Sequence, residues 1–255
     1  MIKFFRHIRK SLIERNQMRK YFKYAIGEIL LVVIGILIAL QINTWNEGRK
    51  LKNSEYKVLG QLRSDLNTNL EEIKGIRRFM QGQVARGEKL LSFLDGKEYP
   101  MDSVKIWVSY SQSKVIFNNA NTTYKNLQSL NEQVLSNDSL RLFISLMYER
   151  NFVNITSREN YEAEYRLPPY KRELMRLFKV GDASFYNPNA QNNLFYETVR
   201  LRINTPRDIE ELRRDVSFKN YLVDLHNYRK LRAFRLKNTI KELTELINEI
   251  DNEIK

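Results

Sequence analysis

The chain has 255 residues, room for one core of ordinary size plus a short appended segment, and 29% of them are charged, so most of it must be solvated. It holds no cysteine, which excludes a disulfide framework, cysteine-ligated zinc, iron–sulfur clusters and thiol catalysis. The net charge of +13 is unevenly placed: residues 1–24 carry eight Lys or Arg against one acid, Glu14.

That basic leader, residues 1–23, adjoins an apolar segment, so the inside flank of a membrane helix explains the charge more simply than nucleic acid does. Residues 24–46 read YAIGEILLVVIGILIALQINTWN, and Ile29–Leu40 is apolar without a break. From Tyr24 to Trp45 a helix rising ~1.5 Å per residue covers ~33 Å, against a bilayer core of ~30 Å. Tyr21, Phe22 and Tyr24 at one end and Trp45 at the other fit the interfacial aromatic belts. The small-x-small cleavage pattern is missing, because Leu37 stands two positions before Ala39, so the segment reads as an uncleaved signal anchor. The C-side carries only Arg49, Lys50, Lys52 and Lys57. The denser N-side therefore stays in the cytoplasm, and residues 47–255 are expected outside, in the periplasm of a bacterium with two membranes.

Glu28 has two readings. It is an interfacial carboxylate reaching headgroups or basic neighbours, or it is part of a helix–helix contact. Gly35 lies seven residues on and Ala39 four further, so Glu28, Gly35 and Ala39 share one face where a second copy or a protein partner can approach closely.

Residues 54–94 read as one long helix. Leu59, Leu62, Leu66, Leu70, Ile73, Ile76, Met80, Val84, Leu91 and Leu94 keep spacings dominated by three and four, and Asp95-Gly96 ends the run. Shorter helices follow. Asn121-Thr-Thr-Tyr opens one, Asn137-Asp-Ser caps another, and Pro168-Pro169 must kink or end whatever precedes it. Val104–Tyr110 and Val115–Phe117 are the best strand candidates, though both also suit a helix. Residues 181–193, GDASFYNPNAQNN, form a connector or a recognition loop displaying Phe185 and Tyr186. Thr205-Pro206-Arg207-Asp208 predicts a helix start with Thr205 as the cap. Residues 217–254 form the last helix, with Leu236, Ile240, Leu243, Ile247, Ile250 and Ile254 in a strict 4-3-4-3-4 seam.

An apolar seam is stable only when buried, so the first and last long helices are expected to pair antiparallel. Residue numbers across the pair should sum to roughly 308 by the ~1.5 Å rise of equal-length helices, which sets Leu62 near Leu246 or Ile247, Leu66 near Leu243 and Ile73 near Leu236. Residues 96–215 would then be a membrane-distal head. The fold class is all-α: one N-terminal transmembrane helix, then a helical bundle.

Chemistry is sparse. The two histidines, His7 and His226, are far apart in sequence and read as surface residues. HExxH, GxSxG, GxGxxG, P-loop and calcium-loop patterns are absent. No catalytic residue, metal ligand or cofactor is predicted, and the amide cluster Asn118, Asn119, Asn121 reads as turn-filling.

The segment YAIGEILLVVIGILIALQINTWNE behind an FFRHIRK leader resembles a family of uncharacterised single-pass membrane proteins common in Bacteroidota, grouped as a domain of unknown function. TTYKNLQSLNEQVLSNDSLRLFISLMYER is similar to that family's middle segment and ELTELINEIDNEI to its C-terminal helix. The resemblance implies a single N-terminal span and a helical domain, and it brings no activity or site residue. The functional expectation is a membrane-tethered interaction or sensor-like module of the bacterial envelope. An envelope enzyme with an unrecognised site, or a cytoplasmic-facing nucleic-acid-binding protein, are the alternatives.

Overall fold

The computed structural model describes residues 18–129, 134–181 and 203–255. Its contacts divide the chain into two units, Met1–Lys57 and Val58–Lys255, and helix α1 (Met18–Leu94) contributes to both.

In the first unit every large apolar side chain from Ile29 to Ile42 faces outward. This helix is long and apolar enough to cross a membrane. At the polar end of the stretch the Thr44 hydroxyl donates to the Leu40 carbonyl at 2.9 Å, which keeps it satisfied within the helix. Arg49 lies over the Trp45 ring, 5.6 Å from its centroid.

The second unit is built on three lengthwise helical runs. The first is the α1 portion from Val58. The second comprises α4 (Asp138–Leu146), α5 (Val153–Tyr161) and α6 (Leu167–Leu177), joined by π-helical turns at Met147–Phe152 and Glu162–Arg166. The third is the last helix, α8 (Val216–Ile254). Two short helices, α2 (Met101–Ser111) and α3 (Thr122–Ser129), lie between the first and second runs in sequence. Asp65, Asn69 and Glu72 on α1 hold the connecting backbone, accepting from the amides of Thr123, Ala120 and Asn118.

α1 and α8 pair antiparallel, as the apolar seams predict. The contacts Arg63–Asp251, Gln83–Arg229, Glu88–His226 and Asp95–Lys219 have residue numbers summing to 314, 312, 314 and 314. The register is therefore shifted by four to six residues, between one and two helical turns, from the expected 308. A seam with 3–4 spacing can slide by one or two turns and stay buried, so spacing leaves that choice open. Leu62, Leu66, Ile73, Leu236, Leu243, Leu246 and Ile247 nonetheless share one core cluster.

The stretch 96–215, expected as a head beyond the helix pair, instead includes a run that packs along it. Asn137 bonds Glu253 at 2.9 Å, Asn151 bonds Glu242 at 2.5 Å, the Tyr228 hydroxyl donates to the Arg158 carbonyl, and Arg176 reaches Asp215. Residues 137–176 thus follow α8 antiparallel from one end to the other. Pro168 and Pro169 do not end this run, because they sit in the first turn of α6 immediately after a π-helical turn. The extra residue of that turn falls where a proline ring would otherwise meet the preceding carbonyls.

Val104–Tyr110, which suits a strand or a helix in sequence, is helical, and the two short strands form instead at β1 (Phe178–Gly181) and β2 (Ile203–Pro206), paired antiparallel with Phe178 opposite Pro206. Two local expectations are corrected. Thr205 is in β2, and the cap belongs to Asp208, which accepts from the Glu211 amide to open α7 (Ile209–Arg214). Asn137, by contrast, caps α4 as predicted, accepting from the Leu140 amide. The α1 seam also changes phase after Met80. Its buried positions become Gln83, Gly87, Leu90 and Leu94, while Val84 and Leu91 are only partly covered.

The apolar interior is in two parts. One cluster joins Leu59–Met80 of α1, Leu140–Ile155 and Leu236–Ile250. The other joins Leu90–Leu94, Leu167–Phe178 and Phe218–Leu225. In each run the buried side chains between the two clusters are polar, Gly87 of α1 aside.

Candidate functional site

Those intervening residues form a layer of charge across the bundle. Each arrives by helical periodicity. On α8 the buried positions run Leu222, Leu225, Arg229, Arg232, Leu236, so the two arginines occupy seam positions. On the second run Glu159 and Glu162 fall in phase with Ile155 and Leu167. Gln83 does the same on α1.

Arg229 donates to Glu162 at 2.8 Å, and Arg232 donates to both Glu162 and Glu159. Arg229 also reaches the Gln83 side-chain oxygen at 3.3 Å and the Ser113 carbonyl at 3.4 Å. Gln83 in turn donates to the Tyr110 carbonyl at 2.7 Å, and Glu159 accepts from the Phe117 amide at 3.0 Å. Two guanidinium groups thus face two carboxylates, and all four residues are at most 7% exposed. Burial pushes the Glu159 carboxyl above its usual range, with the Phe117 amide and Arg232 pulling it down and Glu162 pushing it up. Charge-assisted bonds from each guanidinium, with Arg232 bridging the two carboxylates, are what make such burial tolerable.

On the second cluster's side, Tyr170 is fully buried with its hydroxyl 2.7 Å from that of Ser111, and burial pushes the phenol up to about 12. His226, expected on the surface, is 8% exposed because Leu225 and Arg229 on either side bring its helix face inward. Its Nδ1 makes no hydrogen bond among the described residues, and its Nε2 is 3.9 Å from Glu88. Burial lowers its pKa, opposed by Glu88 and reinforced by Lys230 and Arg229. Gly87 allows this packing, since a Cβ there would lie 2.7 Å from His226 Nδ1.

Beside the layer lies a cavity of about 180 Å³ between residues 151–158 and 232–242. Its cations are Arg158, Arg232 and Arg235, its amides Asn151, Asn154 and Asn238, and its floor Ile155 and Leu236. The arrangement offers charge and hydrogen-bond donors. Among the described residues no group of three His, Asp or Glu is placed to hold a metal.

The residues singled out from sequence lie elsewhere. Glu28, Gly35 and Ala39 share one face of α1 in the first unit, and a Cβ at Gly35 would meet nothing within 4 Å. Phe185 and Tyr186 lie outside the described residues. The buried layer is not legible from charge alone, because charged residues ordinarily occupy solvated faces. The signal was present: Arg229, Arg232, Glu159 and Glu162 stand in phase with apolar seams.

Residues 28–213 match a family of unknown function, DUF6090. The chain belongs to that family. The DUF6090 match takes in Gln83, Glu159 and Glu162, whereas α8, with Arg229 and Arg232, lies beyond the matched residues. Comparisons with curated proteins and with solved structures gave no match.

Proposed function

We propose that this DUF6090 member is a single-pass protein of the cytoplasmic membrane, with its N-terminus in the cytoplasm and its helical domain in the periplasm, acting by contact with a protein partner. The observation that carries the anchoring is the outward-facing apolar surface from Ile29 to Ile42. Apolar area in water costs about 25 cal/mol per Å², and a lipid bilayer covers a stretch of this length. The basic leader supports the orientation. Action by contact fits a domain whose buried arginines and glutamates are engaged with one another. A C-terminal alkaline phosphatase fusion is expected to be active in membrane fractions resistant to carbonate, and a C-terminal fluorescent protein exported by the same route dark. The reverse pattern ends the orientation.

Within the span, the face of Glu28, Gly35 and Ala39 is the proposed contact for a second copy or a partner helix. The open space around Gly35 supports close approach of another backbone. Gly35→Ile is expected to reduce the yield of crosslinked complex in native membranes several-fold. An unchanged yield removes this face from the reading.

A further inference from the structure

The cavity beside the charge layer has no role in the membrane reading, and its chemistry points to a ligand. We propose that it is a binding site for a small organic oxyanion, a carboxylate or phosphate ester that also carries hydroxyl or amide groups. The site does not depend on which side of a membrane the domain occupies.

Charge comes first. Arg232 forms the inner wall, and its guanidinium is compensated within the layer by Glu159 and Glu162. Arg158 and Arg235 line the same cavity, and neither forms an ion pair among the described residues. The cavity's one acid, Glu242, accepts a bond from Asn151 at 2.5 Å. Two uncommitted guanidinium groups against one engaged carboxylate leave an excess of positive charge. The planar guanidinium fork matches carboxylate and phosphate oxygens.

Shape and rigidity come second. A volume of about 180 Å³ equals roughly six waters at ~30 Å³ each, which suits a small metabolite and is too small for a folded partner. Asn154, Asn238 and Thr239 add donors and acceptors for hydroxyl or amide groups, and Ile155 and Leu236 give an apolar floor. One wall is held between two π-helical turns. The turn at Met147–Phe152 places Asn151 in the cavity, and the turn at Glu162–Arg166 begins with the carboxylate that orients Arg232. Such turns re-aim side chains by one extra residue and recur at functional sites.

The test titrates the full chain in neutral detergent with glycerol 3-phosphate, gluconate and, as an uncharged control, glycerol, by isothermal calorimetry. Saturable binding of at least one anion in the millimolar range or tighter is expected, with none for glycerol. Arg158→Gln and Arg235→Gln should each weaken it by about tenfold, the loss of one charge-assisted hydrogen bond. Circular dichroism melts check that these variants fold. Asn238→Asp, an exposed change that adds negative charge to the cavity, should abolish binding with the arginines intact. The control pair Arg78→Gln and Arg214→Gln, exposed and outside the cavity, should leave affinity unchanged. Dihexanoyl phosphatidylglycerol distinguishes the source: stronger binding than glycerol 3-phosphate assigns the oxyanion to a lipid headgroup, weaker binding to a soluble metabolite. Absence of saturation by every anion, or an equal loss in the control pair, overturns the site.

Discussion

At the scale of single residues, the charge layer is a closed account: two arginines, two glutamates and the amides that complete them. Removing one member does not remove one bond; it leaves a buried charge without its counter-ion. Glu162 touches both arginines, at 2.8 Å from Arg229 and in direct contact with Arg232, so it is the most exacting position. Glu162→Ala is expected to destabilise the domain by about 3–5 kcal/mol. Replacing all four together, with Glu159→Leu, Glu162→Leu, Arg229→Met and Arg232→Met, is expected to be neutral or stabilising, because well-packed apolar groups carry no desolvation cost. Urea denaturation of the single and quadruple variants checks this. A quadruple variant weaker than the single one would mean that the layer stabilises the fold outright.

At the scale of elements, α1 shows how the same residue type has opposite effects along one helix. Gly60 is exposed, and a Cβ there would meet nothing within 4 Å. Gly60→Ala should therefore stabilise by roughly 0.5–1 kcal/mol through helix propensity alone. At Gly87 an added Cβ would stand 2.7 Å from the buried His226 ring. Gly87→Ala is expected to destabilise by about 1–3 kcal/mol, since overpacking outweighs the propensity gain. Pairing it with His226→Ala should give a loss smaller than the sum of the two, the mark of residues in contact. Thermal melts of the four variants decide it, and equal stabilisation at both glycines would show that α8 is not pressed against α1 at that level. The phase change of the seam after Met80 has the same origin, because Gln83 and Gly87 replace Val84 and Leu91 on the inner face where Arg229 and His226 enter.

At the scale of the whole molecule, periodicity made the long helices, their antiparallel pairing and the apolar stretch near the N-terminus legible in the sequence. Those features depend on local pattern: unbroken apolar length for the stretch, and 3–4 spacing for the seams at Leu59–Met80 and Leu236–Ile250. The caps divide along the same line. Asn137 was readable because its partner amide is three residues away, whereas Thr205 misled because the pairing of Ile203–Pro206 with Phe178–Gly181 is set by a distant segment. Register, the packing of the second helical run along α8 and the site itself were decided only by the tertiary structure. A seam repeating every three to four residues fits its partner at more than one turn, and what selects among those fits is the burial of Arg229 and Arg232 against Gln83, Glu159 and Glu162. These residues come from three separate runs of the chain. A charged side chain in phase with an apolar seam becomes buried only when an opposite charge arrives from another run to meet it, and that meeting is a property of packing, which no single stretch of sequence contains.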